Sequence, residues 1–356
     1  MNARHSRPAL PRAVAVAAAV VGVTAISLAV ATSRASQSPT NPQPGTSPSW
    51  THTKTPWGDP DLQGVWRYEA AIPLERPARF EGRDTLTDEE VKESQRLENE
   101  QEAQRLSGAE GAAVGRQSVA ASPIRGNEYN SFWQDHGRPR QVYRQTSLVV
   151  DPKDGRLPYT PDARKAEARA SARYGVGPYE SYLDPDTGER CLTDGVTALM
   201  WQGPNGGHNR IVQSPGYVTI LHEEYLDRRI IPTDGRSHGS VRQWFGDTVG
   251  KWEGSTLVVD TINFIDRTNY EWATIFTRPS ETLHIVERFT RTGADIMDYR
   301  ITVEDPTTFE KPWTAVIPIT RLSSGTQIYE YACHEGNYAM TNLLAGGRVD
   351  AAKRSR

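Results

Sequence analysis

The second half of the chain repeats short β-strand patterns, and this repetition limits the folds that the sequence can adopt. From Arg210 onward, successive segments alternate apolar with polar residues or run in β-branched and aromatic residues. These segments are 210–214, 217–225, 256–264, 281–291, 296–303, 313–322 and 327–333. Turn residues separate several of them and no helical pattern intervenes, which favours an antiparallel meander. Because closure removes exposed edges, we expect a mainly β fold that forms a barrel or a curled sheet.

A few helices are predicted at the periphery of this sheet. Thr87 and Glu90 form a capping box, and residues 87–106 are rich in Glu, Gln and Arg, which is typical of a largely solvated helix. A second helix is expected from Pro161 to Arg173, with proline in its first turn. We therefore interpret residues 56–350 as a single β-rich domain with a helical insertion near 87–106.

The amino terminus has the order of a secretory signal. Arg4, Arg7 and Arg12 precede an uncharged apolar run over 13–32, and small residues follow. This pattern predicts a signal peptide over residues 1–35 and a secreted or periplasmic protein. The alternative is an uncleaved membrane anchor, because an apolar run of about 18 residues can also span a bilayer. Residues 36–55, rich in Ser, Thr and Pro, are typical of a flexible linker.

The net negative charge of the chain argues against the basic surface that nucleic-acid binding requires. Removal of residues 1–35 takes away four arginines and no acidic residue, so the formal net charge falls from −3 to −7. No second long apolar stretch follows the signal, so no stable membrane span is expected after its cleavage. The sequence does not indicate an oligomeric state.

The chain has two cysteines, Cys191 and Cys333. In an oxidising compartment they can form a disulfide. The alternative is a reactive thiol at Cys333, within the polar segment 331–335. A structural zinc site built from cysteines is not expected, because no zinc-finger spacing is present.

Parts of the chain resemble known families. The segments 252–257, 283–289 and 298–305 resemble the central strands of lipocalin-like barrels, which implies an antiparallel lipocalin-like barrel. A wider resemblance is to a family of uncharacterised exported bacterial proteins. It rests on the segments 60–66, 129–135, 146–152, 211–235, 242–264 and 329–338. This second resemblance implies export and a shared fold, and it supplies no catalytic residues.

Titratable residues are concentrated in three of the predicted strands. Because side chains alternate across a strand, one face of each would direct these residues into a common interior hollow. That set consists of His222, Glu224, His284, Arg288, Glu330 and His334. Imidazoles and carboxylates in one cavity can supply an acid and a base near neutral pH. The alternative is a set of ordinary cross-strand ion pairs on the outer face.

The sequence therefore predicts an enzyme that moves a proton on a small, largely apolar molecule, as a lyase, isomerase or cyclase without a cofactor. The predicted catalytic residues are His222, Glu224, His284, Arg288 and His334, with Arg288 steadying an anion. The predicted substrate contacts are Trp244, Tyr331 and Glu330. A serine hydrolase is disfavoured, because the chain lacks a Gly-x-Ser-x-Gly motif.

Three alternatives stay open at this point. A divalent metal can be held by His222, His284 and His334 with a carboxylate, although the helical His-Glu-x-x-His spacing is absent. The barrel can instead bind a hydrophobic small molecule without chemistry. A third possibility is an interaction protein that uses the charged helix over 87–106.

Overall fold

An antiparallel sheet wraps into a nearly closed barrel with helices at its periphery. The structure, a computed structural model, describes residues 50–68, 70–106, 141–173, 177–193, 195–196, 207–270 and 277–355. Its strands are β1 (Gly64–Arg67), β2 (Val149–Asp151), β3 (Asn209–Ser214), β4 (Tyr217–His222), β5 (Arg228–Pro232), β6 (Asp247–Glu253), β7 (Thr256–Ile262), β8 (His284–Arg291), β9 (Ile296–Glu304) and β10 (Trp313–Arg321). Its α-helices are α1 (Asp88–Leu106), α2 (Pro161–Arg173) and α3 (Ala339–Arg354). The prediction of a mainly β fold is confirmed, and the nearly closed barrel is compatible with a lipocalin-like fold.

The strand order explains where the barrel stays open. The sheet runs β5-β4-β3-β1-β10-β9-β8-β7-β6, and β2 pairs with β10 beside this path. Every pair of neighbouring strands along this path is antiparallel, so the two end strands, β5 and β6, run parallel where they meet. Within 207–270, which the structure describes throughout, no backbone hydrogen bond joins β5 to β6. Side chains fill this seam: a Cβ on Gly250 of β6 would lie 2.7 Å from Cγ2 of Ile231 of β5.

The interior of the barrel is a packed apolar core. Alternate residues of the strands face inward, and many of them are almost completely buried. The aromatic rings of Phe289 and Tyr299 stack with their centroids 4.9 Å apart. Ile220, Val259 and Phe289 each have 0% exposure, so bulk water does not reach their side chains.

One ion pair is buried within this core. Arg229 of β5 donates through Nη1 to Glu287 Oε1 at 2.8 Å and through Nη2 to Glu287 Oε2. Glu287 also accepts the Tyr299 hydroxyl at 2.8 Å, and Arg229 Nη2 lies 3.3 Å from Thr261 Oγ1. The pair links β5 to β8 across the seam, where backbone hydrogen bonds are missing. Burial lowers the pKa of Arg229, but the attraction of Glu287 outweighs burial and raises it overall, so the guanidinium stays charged.

The predicted helices are confirmed. At the start of α1, Glu90 N–H donates to Thr87 Oγ1 at 3.2 Å and Thr87 N–H donates to Glu90 Oε2 at 2.8 Å, as the capping box predicts. The helix α2 has the predicted bounds. In the described part of the chain, no helix combines the length and the apolar character that a membrane crossing requires.

Other expectations about the chain's elements are wrong or lie outside the described residues. The segment 327–333 is not a strand, because the chain leaves the sheet after Arg321 and enters α3 through an irregular segment. The strands β5 and β6 and the helix α3 were not predicted. Residues 50–55, assigned to the linker, contact the barrel, where Thr53 Oγ1 accepts a hydrogen bond from Arg291 at 3.1 Å. The predicted signal peptide lies outside the described residues.

We expect Glu287→Gln to lower the free energy of unfolding by about 3–5 kcal/mol, because it leaves the Arg229 charge buried without a counter-charge. The matched control is Glu253→Gln, which breaks solvent-exposed ion pairs with Arg288 and Lys251 on the outer face and should lower the free energy of unfolding far less, because water screens these charges. Urea unfolding measures both values. Equal losses for the two variants would contradict the proposed role of the buried pair.

Candidate functional site

Polar and titratable residues collect at one end of the barrel. Because neighbouring strands alternate in direction, the last residues of β4, β7 and β9 meet the first residues of β3, β5, β6, β8 and β10 at this end. It carries His222 at the end of β4 and Asn209 at the start of β3, which pair directly across the hairpin. The opposite end is closed by tight turns, such as the one at Gly216 between β3 and β4.

His222 is the centre of a buried acid–base cluster. Its side chain points inward and is 1% exposed. Its Nδ1 lies 3.1 Å from Oδ1 of Asn209, and its Nε2 lies 4.0 Å from Oε2 of Glu224, which is also buried. Two of the predicted catalytic residues, His222 and Glu224, are therefore brought together.

The orientation of Asn209 determines which ring nitrogen of His222 carries the proton. Asn209 donates through Nδ2 to the carbonyl of Gly207 at 3.3 Å, which turns its Oδ1 toward the imidazole. In the neutral ring, Nδ1–H then donates to Asn209. The lone pair is left on Nε2, the nitrogen that faces Glu224, so this is the ring atom that can accept a proton.

Burial keeps His222 neutral. It lowers the pKa of the imidazole below its ordinary value, and this effect exceeds the opposing attraction of Glu224, Asp227 and Glu223. A neutral imidazole beside buried carboxylates can accept a proton and form a stabilised ion pair. The cluster is therefore suited to general base chemistry.

Further carboxylates surround the turn that follows β4. Glu223 bonds to the ring of His208 through Oε2 and accepts the backbone N–H of Tyr329 through Oε1 at 2.9 Å. Burial raises the pKa of Glu223, but these hydrogen bonds outweigh burial and lower it overall. Asp227 accepts the hydroxyl of Thr193 at 2.6 Å.

The backbone is strained at this turn. A short 3-10 helix, Glu224–Leu226, follows β4, and Tyr225 and Leu226 have φ values of 55° and 52°. Among the described residues, four other than glycine have such left-handed backbone, and two of these, Tyr225 and Leu226, lie in this turn. Strain of this kind persists where surrounding contacts enforce it, and it is typical of functional sites.

A second cluster lies on the outer face of β7 and β8. His238 contacts Asp247 through Nδ1 and Asp260 through Nε2, both at 2.9 Å. Asp260 also contacts Nε2 of His284 at 3.0 Å, and Glu304 lies 3.6 Å from the other nitrogen of that ring. Burial alone would lower the pKa of His238, but its hydrogen bonds to the two aspartates raise it overall. These half-exposed groups form an ion-pair chain that clamps the β5–β6 connection to the sheet.

The prediction that six titratable residues share an interior hollow is wrong for two residues of β8. His284 and Arg288 point outward, where Arg288 pairs with Glu253 at 2.6 Å. The inward face of β8 carries Ile285, Glu287 and Phe289 instead. Burial of the more apolar face decides this orientation, because the barrel encloses only one face of each strand.

The residues from the expected last strand also lie outside the barrel. Glu330 and His334 are exposed, and Tyr331 is half-buried with its ring 4.8 Å from that of Tyr225. They do not join an inward face because their segment is not part of the sheet. Of the three predicted substrate contacts, only Tyr331 has its ring against the turn that follows β4. Trp244 is exposed on the β5–β6 connection.

The cysteines and the metal hypothesis have separate outcomes. Cys191 and Cys333 form a disulfide, so Cys333 is not the reactive thiol that the sequence left open. The three histidines of the metal hypothesis lie apart: His222 is inside, His284 outside and His334 on the carboxyl-terminal segment. In the ranges that the structure describes, no group of three or more His, Cys, Asp or Glu side chains is arranged to hold a metal ion.

Several site residues were missed from the sequence. The position of Asn209 can be predicted from the sequence, because counting outward from the turn at Pro215-Gly216 places it opposite His222. His208 and Glu223 follow from the same register, since they flank that pair. Arg229 had a weaker signal, because two adjacent arginines obscure the alternation of β5.

The comparisons with known proteins add no assignment. Neither the models of protein families nor the curated proteins give a match to this chain. The site is therefore interpreted from its own geometry.

We expect His222 to titrate below, and His238 above, the ordinary histidine pKa of 6.5. The two histidines differ because burial dominates at His222 and two carboxylates dominate at His238. Imidazole NMR spectra recorded across a pH series measure both, with His222→Ala and His238→Gln providing the assignments. A His222 resonance that titrates at or above 6.5 would contradict burial as the dominant cause.

The same shifts predict opposite effects of pH on stability. The lowered pKa of His222 means that this residue binds a proton more readily in the unfolded chain than in the fold. The contribution of neutral His222 to the free energy of unfolding is therefore complete above the unfolded pKa and is lost as the pH falls below about 6.5. The raised pKa of His238 stabilises the fold below the unfolded pKa, and this contribution is lost as the pH rises through the folded value. Urea midpoints across pH should show the acid-side loss diminished in His222→Ala and the alkaline-side loss diminished in His238→Gln.

Proposed function

We propose that this chain is an exported enzyme that moves a proton on a small, largely apolar molecule, without a redox cofactor. The reaction class is a lyase, isomerase or cyclase. The resemblance to exported bacterial proteins and the signal pattern of residues 1–35 support export. The observation that carries the chemical part is the buried His222, with Nε2 directed at Glu224 at 4.0 Å.

The chemistry follows from the order of groups around the imidazole. Asn209 holds the proton on Nδ1, so Nε2 takes a proton from the acidic carbon of the substrate. The imidazolium that forms is stabilised by the nearby carboxylates of Glu224 and Asp227, which already attract it electrostatically. His222 then returns the proton to a second position, or to the leaving group.

The surroundings favour an apolar substrate. The interior residues next to His222 and Asn209 along their strands are Ile220 and Ile211, which are both almost fully buried. A molecule that reaches Nε2 therefore contacts aliphatic side chains. The sequence predicts that Arg288 stabilises an anion of the substrate. Arg288 is not available beside His222, because it lies outside the barrel.

The test uses 5-nitrobenzisoxazole, an apolar probe that reports proton abstraction. A base removes the C3 proton, the N–O bond breaks, and a coloured cyanophenolate forms without any other reactant. We expect the protein, assayed with its disulfide oxidised and reduced, to accelerate this ring opening in at least one of the two forms, and His222→Ala to lower kcat/KM of that form by about 10²–10⁴-fold. The rate should fall as the pH drops through the lowered pKa of His222, because the imidazolium is not a base.

The matched control is His284→Ala, which removes an imidazole from the outer face and should leave the rate unchanged. A rate no greater than that of free imidazole in both redox forms of the wild-type protein would contradict the proposed function. Binding of the probe without turnover would instead support the alternative of a non-catalytic binding protein.

A further inference from the structure

Two segments cover the candidate site from outside the barrel. We define the front loop as residues 177–193 and the C-terminal strap as residues 322–338, between β10 and α3. Both contact the strained turn after β4, whose carboxylates Glu223, Glu224 and Asp227 are all nearly buried. The strands themselves do not cover this turn, because β4 ends at His222.

Each segment has its own contacts with the turn. From the front loop, the carbonyl of Gly188 accepts the hydroxyl of Tyr225 at 3.1 Å, and Thr193 donates to Asp227. From the C-terminal strap, Tyr329 N–H donates to Glu223 and Tyr331 packs on the ring of Tyr225. The strap makes these contacts from an irregular, largely exposed segment with no strand or helix to hold it in place.

The disulfide joins the two covering segments to each other. Cys191 lies in the front loop and Cys333 in the C-terminal strap, 142 residues apart in sequence. Asn337 of the strap also donates through Nδ2 to the sulfur of Cys191 at 2.9 Å. Cys191 is buried and Cys333 is half-buried, so Cys333 is the more accessible residue of the two.

We propose that the Cys191–Cys333 disulfide controls access to His222, so that reduction by a dithiol opens the site and oxidation closes it. The role of His222 as a catalytic base rests on the proposed function. A thiolate of the dithiol attacks the Cys333 sulfur and releases the Cys191 thiolate. The second thiol of the dithiol then displaces Cys333. Two electrons pass to the protein disulfide, which gains two protons as thiols, and the dithiol becomes a cyclic disulfide.

Two accessibility measurements test this proposal without relying on turnover. Hydrogen exchange of the Tyr329 amide reports the strap, because this N–H is bonded to Glu223. Acylation of His222 by diethylpyrocarbonate reports access to the neutral imidazole. Both are measured by mass spectrometry on the oxidised wild-type protein, on the dithiothreitol-reduced protein and on the double variant Cys191→Ser/Cys333→Ser.

In the reduced protein and the double variant, we expect Tyr329 to exchange at least about tenfold faster and His222 to become acylated. The exposed His334 serves as the control that is acylated in all forms. The amide of Val316, bonded to the Leu148 carbonyl in the core, should keep its protection. The reduced wild-type protein keeps the test valid if the double variant does not fold.

Three outcomes would overturn the proposal. The first is unchanged protection of Tyr329 and His222 after reduction, and the second is acylation of His222 in the oxidised protein. The third is a parallel rise in exchange at Val316, which would make the disulfide a support of the whole fold. If neither redox form shows turnover of 5-nitrobenzisoxazole that depends on His222, the proposed function is refuted. The accessibility measurements still decide whether the disulfide controls access to His222.

Discussion

The barrel depends on how its two end strands are held together without a backbone ladder. An odd number of alternating strands brings β5 and β6 together in parallel, and no backbone hydrogen bond joins these two strands, both of which the structure describes in full. The bidentate pair between Arg229 and Glu287 crosses this seam inside the core, and Ile231 packs where Gly250 lacks a side chain. A buried charge pair requires satisfied geometry, so it fixes the position of β5 more strictly than apolar contacts alone would.

That position of β5 has consequences for the candidate site. The short turn between β4 and β5 carries Glu224 and Asp227, and its residues Tyr225 and Leu226 adopt left-handed backbone to complete the connection. The β3–β4 hairpin places Asn209 opposite His222 by register. The site therefore combines a rigid sheet, which holds the base, with a strained turn, which holds the acids. Covering segments then remove both from water.

Some of this was predictable because it is encoded locally. The capping box of Thr87 and Glu90 forms as predicted, since its bonds involve residues three positions apart. The prediction of His222 and Glu224 rests on titratable residues that share one face of a predicted strand, and the structure brings the two side chains together. The pairing of His222 with Asn209 also follows from the count across a tight turn.

The errors arose where a local pattern permits two tertiary arrangements. Alternation in β8 defines two faces, and the face with His284 was chosen for its chemistry although the face with Ile285 and Phe289 is more apolar. The segment 327–333 alternates like a strand, but in the structure it pairs with none of the strands β1 to β10. A period of two cannot tell a paired segment from an unpaired one.

The sequence by itself determined the mainly β class, the strand spacing and two helices, because propensity, turn residues and capping act over a few positions. Only the tertiary structure decided which faces are interior, that Arg229 meets Glu287, and that Cys191 meets Cys333. Those contacts join residues far apart in the chain, so no single segment carries them: closure of the barrel brings Arg229 to Glu287, and packing of two segments on the turn after β4 brings Cys191 to Cys333.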